Sequence, residues 1–173
     1  IDEKMNSALR FSAGMAAGAA TVLITNATGR LASGTIQVAT VAPALFAANA
    51  NGRGVPAAVL LRVKANGAQV YEPVAVWQGE QFSEAPLDLD DATEQVFLVA
   101  YGTGWRNRSS LAAVTATLGG AVADVSFVGA QGSLAGLDQA NLRLPRSLAG
   151  RGNVDLKFTV DGQTANTVTI NIK

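Results

Sequence analysis

Val154-Asp155-Leu156-Lys157-Phe158-Thr159-Val160, then Asp161-Gly162, then Thr164 through Ile172, is the stretch that decides the fold class. Apolar and polar side chains alternate along the first run, the period of a strand with one buried face. Asp-Gly between two such runs is a strong hairpin signal, because both central residues of a tight type I′ turn take positive φ. Working back along the chain, Val114-Thr115-Ala116-Thr117-Leu118, Gly119-Gly120 and Val122 through Val128 repeat the pattern. Val96-Phe97-Leu98-Val99-Ala100-Tyr101 is a continuous apolar run, suited to a central strand buried on both faces. Thr21-Val22-Leu23-Ile24-Thr25, the turn Asn26-Ala27-Thr28-Gly29 and Thr35-Ile36-Gln37-Val38 read as a further hairpin. No long helical period interrupts this; Leu134–Ala140 and Arg146–Gly150 have room for one helical turn each. Gln78–Glu94 is polar, acidic and contains Pro86, and reads as a long loop pinned by Leu87 and Leu89.

Composition narrows the chemistry. Among 173 residues there is no His and no Cys. The commonest general base and transition-metal ligand is therefore missing, and with it any Ser-His-Asp or Cys-His arrangement. Thiol nucleophiles, thiolate metal sites and disulfides are excluded as well. Lys+Arg and Asp+Glu are 13 each, so the net charge is zero, and no nucleic-acid partner is expected. No run of about 18 apolar residues occurs, so no membrane insertion through a helix is expected. Apolar residues at 49% against 15% charged residues supply a sizeable core. The opening Ile1-Asp2-Glu3-Lys4 is not the start of a signal peptide, so an exported protein is expected here in processed form.

An internal repeat sets the domain organisation. Leu9-Arg10-Phe11 matches Leu142-Arg143-Leu144, and the hairpin over 20–38 matches 154–172, with Ile24 aligned to Phe158 and Ile36 to Ile170. The expected fold is an all-β, immunoglobulin-like β-sandwich with an additional N-terminal β-hairpin, a partial second sandwich. One such sandwich needs about 100 residues, which leaves a surplus at the N-terminus. The expected boundaries are 1–39 for the partial sandwich, 40–55 for a linker and 56–173 for the complete sandwich. A lone hairpin is marginal in water. Its apolar face of Val22, Ile24, Ile36 and Val38 needs cover, and three sources can supply it: the second domain, earlier strands of the native chain, or a neighbouring subunit added at its edges. These four residues are the candidate assembly face.

Several motifs then occur in a recognisable order. Thr40-Val41-Ala42-Pro43-Ala44-Leu45-Phe46-Ala47-Ala48-Asn49 resembles the "APGLF-AN" linker of an uncharacterised C-terminal domain family of exported bacterial proteins. Val99–Gly104, Phe127–Gly132, Gly136–Asn141 and Leu144–Gly150 match it further, so the resemblance spans roughly residues 19–173. That family is similar to immunoglobulin-like domains of the IPT/TIG type. The resemblance implies an exported, extracellular or cell-surface β-sandwich module and carries no catalytic or ligand residue.

Isolated features have weak chemical readings. Gly102-Thr103-Gly104 lacks the third Gly and the helix of a dinucleotide loop and reads as a strand exit. Around Ser133 the nucleophile-elbow pattern lacks its first Gly, replaced by Gln131, and there is no His to complete a triad. Asp88, Asp90, Asp91 and Glu94 form an acidic loop able to offer oxygens to calcium, without the EF-hand frame. Glu72, Glu80 and Glu84 are the carboxylates available for a glycosidase pair. Trp105, Tyr101 and Trp77 are the candidates for an aromatic sugar platform, with Trp105, beside Arg106 and Arg108, expected to be the most exposed. Asn26 and Asn107 head glycosylation-type triplets in expected turns.

The functional expectation is a non-catalytic extracellular structural or interaction module without cofactor. Its expected partner is protein, including itself, through strand addition at the hairpin into a fibre or oligomer. The alternative is a carbohydrate- or calcium-dependent binding module attached to an exported enzyme.

Overall fold

The computed structural model describes residues 15–27 and 29–173; the side chains of Asn26 and Arg30 are not described. The chain divides into two units, one ending at Thr40 and one spanning Val41–Lys173. The Leu9-Arg10-Phe11 end of the sequence repeat lies outside the described residues.

The described part of the first unit is a hairpin of β1 (Gly18–Asn26) and β2 (Gly29–Val38). Asn26 pairs with Gly29, and an irregularity between Ile24 and Thr25 leaves Leu31 unopposed on β2. Such a bulge sharpens the twist of a two-stranded ribbon.

The second unit holds an eleven-stranded sheet, and its inward side chains share one core, the two-layered arrangement of a β-sandwich. Its strands are β3 (Ala44–Leu45), β4 (Ala58–Val63), β5 (Gln69–Pro73), β8 (Pro86–Leu87), β9 (Gln95–Thr103), β10 (Val114–Leu118), β11 (Ala121–Ala130), β12 (Asp138–Arg143), β13 (Gly152–Val160), β14 (Gln163–Thr164) and β15 (Val168–Ile172). A separate small hairpin joins β6 (Ala75–Gln78) to β7 (Gln81–Glu84). The strand order is β5-β4-β9-β12-β11-β10-β13-β15-β8, with β3 on β9 and β14 on β13. Every pairing is antiparallel except β15 with β8.

The opening stretch behaves as its alternation requires. Val154, Leu156, Phe158 and Val160 of β13 and Val168, Ile170 and Ile172 of β15 point into the core, while Asp155 and Lys157 face solvent. Asp161 and Gly162 both take positive φ, 48° and 79°, as a primed turn demands. Gly119 and Gly120 do the same at 53° and 84° between β10 and β11. The apolar run Val96–Tyr101 lies in β9, between β4 and β12, where both edges and most of both faces are covered.

Three expectations are corrected. The segment 40–55 is not a linker. Val41 and Leu45 are buried, β3 pairs with the end of β9, and Ala48 N–H donates to Val55 O at 2.9 Å. Backbone groups near a core need partners, and this segment finds them in the sandwich. Gln78–Glu94 is not one long loop. Gly79 and Glu80, with φ of 57° and 67°, close the β6–β7 hairpin. A left-handed Glu is uncommon, which hid the turn in the sequence. Leu87 and Leu89 are buried and pin the chain on either side of Asp88. Finally, Leu134–Ala140 forms a turn leading into β12 rather than a helical turn, whereas Arg146–Leu148 is a single 3-10 turn.

Candidate functional site

The expected aromatic platform does not exist as a unit. Trp105 is 0% exposed and packs edge-on against Phe158, with ring centroids 5.0 Å apart. Its expected exposure is therefore corrected: it is a core residue. The cause is local. A Cβ on Gly104 would lie 2.0 Å from the Ala42 carbonyl oxygen, and one on Gly102 would lie 2.2 Å from that of Ala44. Two glycines thus let the Val41–Leu45 backbone settle on the exit of β9. Gly104 also takes a φ of 82°, which turns the chain so that the indole enters the core. Asp138, fully buried, locks the turn by accepting from Trp105 N–H at 2.9 Å, Arg106 N–H at 3.2 Å and Arg106 Nε at 2.6 Å. Tyr101 is half-buried on β9.

Trp77 is different. It is 62% exposed on β6 and stands opposite Phe82 of β7, rings 5.0 Å apart and near-perpendicular. Val76 and Phe82 are also exposed. The Asn49 carboxamide donates to Phe82 O and accepts from Phe82 N–H, both at 2.8 Å, and so replaces a neighbouring strand along β7. Asn166 does the same for Leu45, at 2.8 and 3.0 Å, and reaches Gly52 O at 2.7 Å. Asn49, Asn166 and Asp138 were not singled out in the sequence. Each is a side chain serving as backbone, and only the fold shows which main chain it meets.

The acidic loop is tied to cations. Glu94 accepts from Lys64 Nζ and from Arg62 Nη1 at 2.8 Å; Arg62 also holds Glu72 at 2.8 and 3.1 Å and Asp88 O at 3.0 Å. The Arg146 guanidinium donates to the carbonyls of Leu89 and Glu94. Lys64 and then Arg62 hold the Glu94 carboxyl below the usual range. The Thr93 hydroxyl lowers Asp91, and the Asp90 amide, then Lys173, lowers Asp88. Arg62 is pushed above its ordinary value, chiefly by Glu72. Among the described residues no group of three or more acidic side chains is placed to hold a metal ion. Glu72 is engaged with Arg62, while Glu80 sits exposed in the β6–β7 turn.

Asn107 is exposed, and Ser109 of its triplet hydrogen-bonds Asp161. Thr28 and the Asn26 side chain lie outside the described residues. No helix among the described residues is long and apolar enough to cross a membrane.

The candidate assembly face is the remaining site. The β1–β2 register Gly18↔Val38, Ala20↔Ile36, Val22↔Gly34 reappears in the sandwich as Gly152↔Ile172, Val154↔Ile170, Leu156↔Val168, a constant offset of 134 residues. Val22, Ile24, Ile36 and Val38 therefore correspond to Leu156, Phe158, Ile170 and Ile172, each 0% exposed in the core. On the hairpin, Ile24 is 44% exposed and the other three are half-buried.

Comparison of the chain with family models, with curated proteins and with solved structures gives no match.

Proposed function

We propose that this chain is a non-catalytic structural and interaction module of an exported protein, assembling through its N-terminal hairpin. The observation that carries this reading is the hairpin face. Val22, Ile24, Ile36 and Val38 occupy the register of a closing hairpin whose counterparts are wholly buried, yet Ile24 stands 44% exposed. Among the described residues β1 and β2 pair only with each other, and apolar strands without a second neighbour are sites for strand addition. The motifs shared with the exported-domain family serve the fold: the Ala42–Ala44 backbone lies on Gly102 and Gly104, and Asp138 fastens Trp105 and Arg106. Extracellular placement rests on the same resemblance, and fractionation of cells producing the protein tests it.

The assembly test is sedimentation velocity over a concentration series, with electron microscopy of the concentrated sample. Concentration-dependent oligomers or fibres are expected. They should disappear in Ile24→Lys and persist in Thr21→Lys, on the opposite face of β1. A chain that stays monomeric throughout overturns self-assembly.

A second reading, carbohydrate binding, is favoured by one observation, the exposed Trp77–Phe82 pair held in place by Asn49. Aromatic faces of this kind suit sugar rings. Glycan-array binding lost in Trp77→Ala supports it, and a silent array removes it. Calcium dependence has less support, since Glu94 and Asp88 already face Lys and Arg partners.

A further inference from the structure

We infer that the edge of β1 that no other described strand pairs is the docking site for one kind of partner: an extended segment with the side-chain pattern of β10, added antiparallel in a defined register. The inference rests on the reading of the hairpin face as an interaction surface, and its partner is a different chain rather than an intact second copy of this one.

The argument is the repeat carried one strand further. Over five successive pairs, β1 and β2 keep the register of β13 and β15. A one-residue slip would exchange inner and outer faces, so agreement over five rungs on the same face marks one building block used twice. In the sandwich the second edge of β13 is filled by β10, with Leu118 opposite Leu156, Thr117 opposite Lys157, Ala116 opposite Phe158 and Thr115 opposite Thr159. Subtracting the same 134 residues puts a Leu opposite Val22, a Thr opposite Leu23, an Ala opposite Ile24 and a Thr opposite Thr25. A small residue stands opposite Phe158 in the core, and the same position on the hairpin faces Ile24. The incoming Leu and Ala would cover the apolar face, and the Thr residues would join the solvent face.

The other edge offers less. β15 is flanked by β8 over only two pairs, Asn171↔Pro86 and Ile172↔Leu87, in parallel orientation. A strand on β2 would inherit that short contact, so β1 is the edge that binds. The donor is not β10 of an intact second copy, because β10 is already paired on both sides, with β11 and β13. The partner is a sandwich of this type that lacks its own closing hairpin, so that its β10-type strand has one edge open.

The test uses the whole chain and a synthetic peptide of residues 111–120, which contains β10. Backbone amide exchange is followed by mass spectrometry at millimolar peptide. At least about tenfold slower exchange is expected over 18–26, with little change over 29–38. A peptide carrying Leu118→Asp should give no protection, and neither should Ile24→Asp in the chain, while Thr21→Asp should leave it intact. Should Ile24→Asp unfold the hairpin, the Leu118→Asp peptide still decides. No protection at millimolar peptide, equal protection by the Asp peptide, or protection confined to β2 overturns the inference. Self-association without peptide protection removes this partner and leaves the assembly reading standing; peptide protection of a monomeric chain does the reverse.

Discussion

Asp138 shows how one side chain decides what a neighbour can do. Its buried carboxylate takes three donors from Trp105 and Arg106. Replacing it with Ala leaves the Trp105 amide without an acceptor inside the protein, and a stranded donor costs about 1–3 kcal/mol. Asp138→Ala should therefore lower the urea midpoint and shift Trp105 emission to the red. Trp105→Ala should cost more, about 3–5 kcal/mol, because it empties the space beside Phe158. Unchanged urea midpoints in both variants would show that Trp105 is not core. Acid should act at the ion cluster. Glu94, Asp91 and Asp88 are held below the ordinary carboxylate range in the fold and return to it on unfolding. Their contribution is complete above the unfolded values, near about pH 4–4.5, and is lost as pH falls through the lower folded values. The denaturation midpoint should thus hold from neutral pH to about pH 5 and fall below it, with a smaller fall in Glu94→Gln. An identical acid limb in that variant would remove Glu94 from the account.

At the scale of elements, legibility followed turn chemistry. Asp161-Gly162 and Gly119-Gly120 announced their hairpins because these residues tolerate positive φ and the flanking strands alternate. The β6–β7 hairpin escaped because its turn places Glu80 in a conformation that Glu rarely adopts, within an acidic stretch that reads as loop. The segment 40–55 escaped for another reason. Its Ala, Pro and Asn residues look like linker composition, and what orders it is long-range: Gly102 on β9, Gly104 just after it, and two Asn side chains that satisfy main-chain groups. For Trp105 a turn beside two arginines suggests exposure, while Asp138, which turns the chain inward, lies 33 residues away. Asn49 makes the point testable. Asn49→Ala removes both of its bonds to Phe82 and should speed amide exchange at Phe82 and across β7. The loss in global stability should be modest, about 1–2 kcal/mol for two partly exposed hydrogen bonds. Unaltered exchange at Phe82 would mean that β7 is held by its pairing with β6 alone.

For the whole molecule, the question is what a closing hairpin contributes, since the chain contains two hairpins of one register. The seven inward side chains of β13 and β15 are all buried in the sandwich core. At about 1.5–3 kcal/mol each they represent roughly 10–20 kcal/mol of burial, at or above the whole net stability of about 5–15 kcal/mol usual for a domain. A sandwich without this hairpin should not stay folded, and a sandwich offered one from outside should recover. The chain ended at Gly150, in a Trp77→Phe background so that Trp105 is the only indole, should show red-shifted emission and no cooperative unfolding. Adding a peptide of residues 151–173 should restore the blue-shifted emission with saturable dependence on peptide. The same peptide carrying Phe158→Asp should not, because Phe158 is the ring against which Trp105 packs. If the shortened chain keeps a buried Trp105 and unfolds cooperatively, the closing hairpin is dispensable to the sandwich. The apolar face of Val22, Ile24, Ile36 and Val38 would then lose its reason to seek a partner. If the peptide restores the fold, the sandwich accepts a closing hairpin supplied from a separate chain. That is the same step, seen from the opposite side, by which β1 and β2 would complete another sandwich.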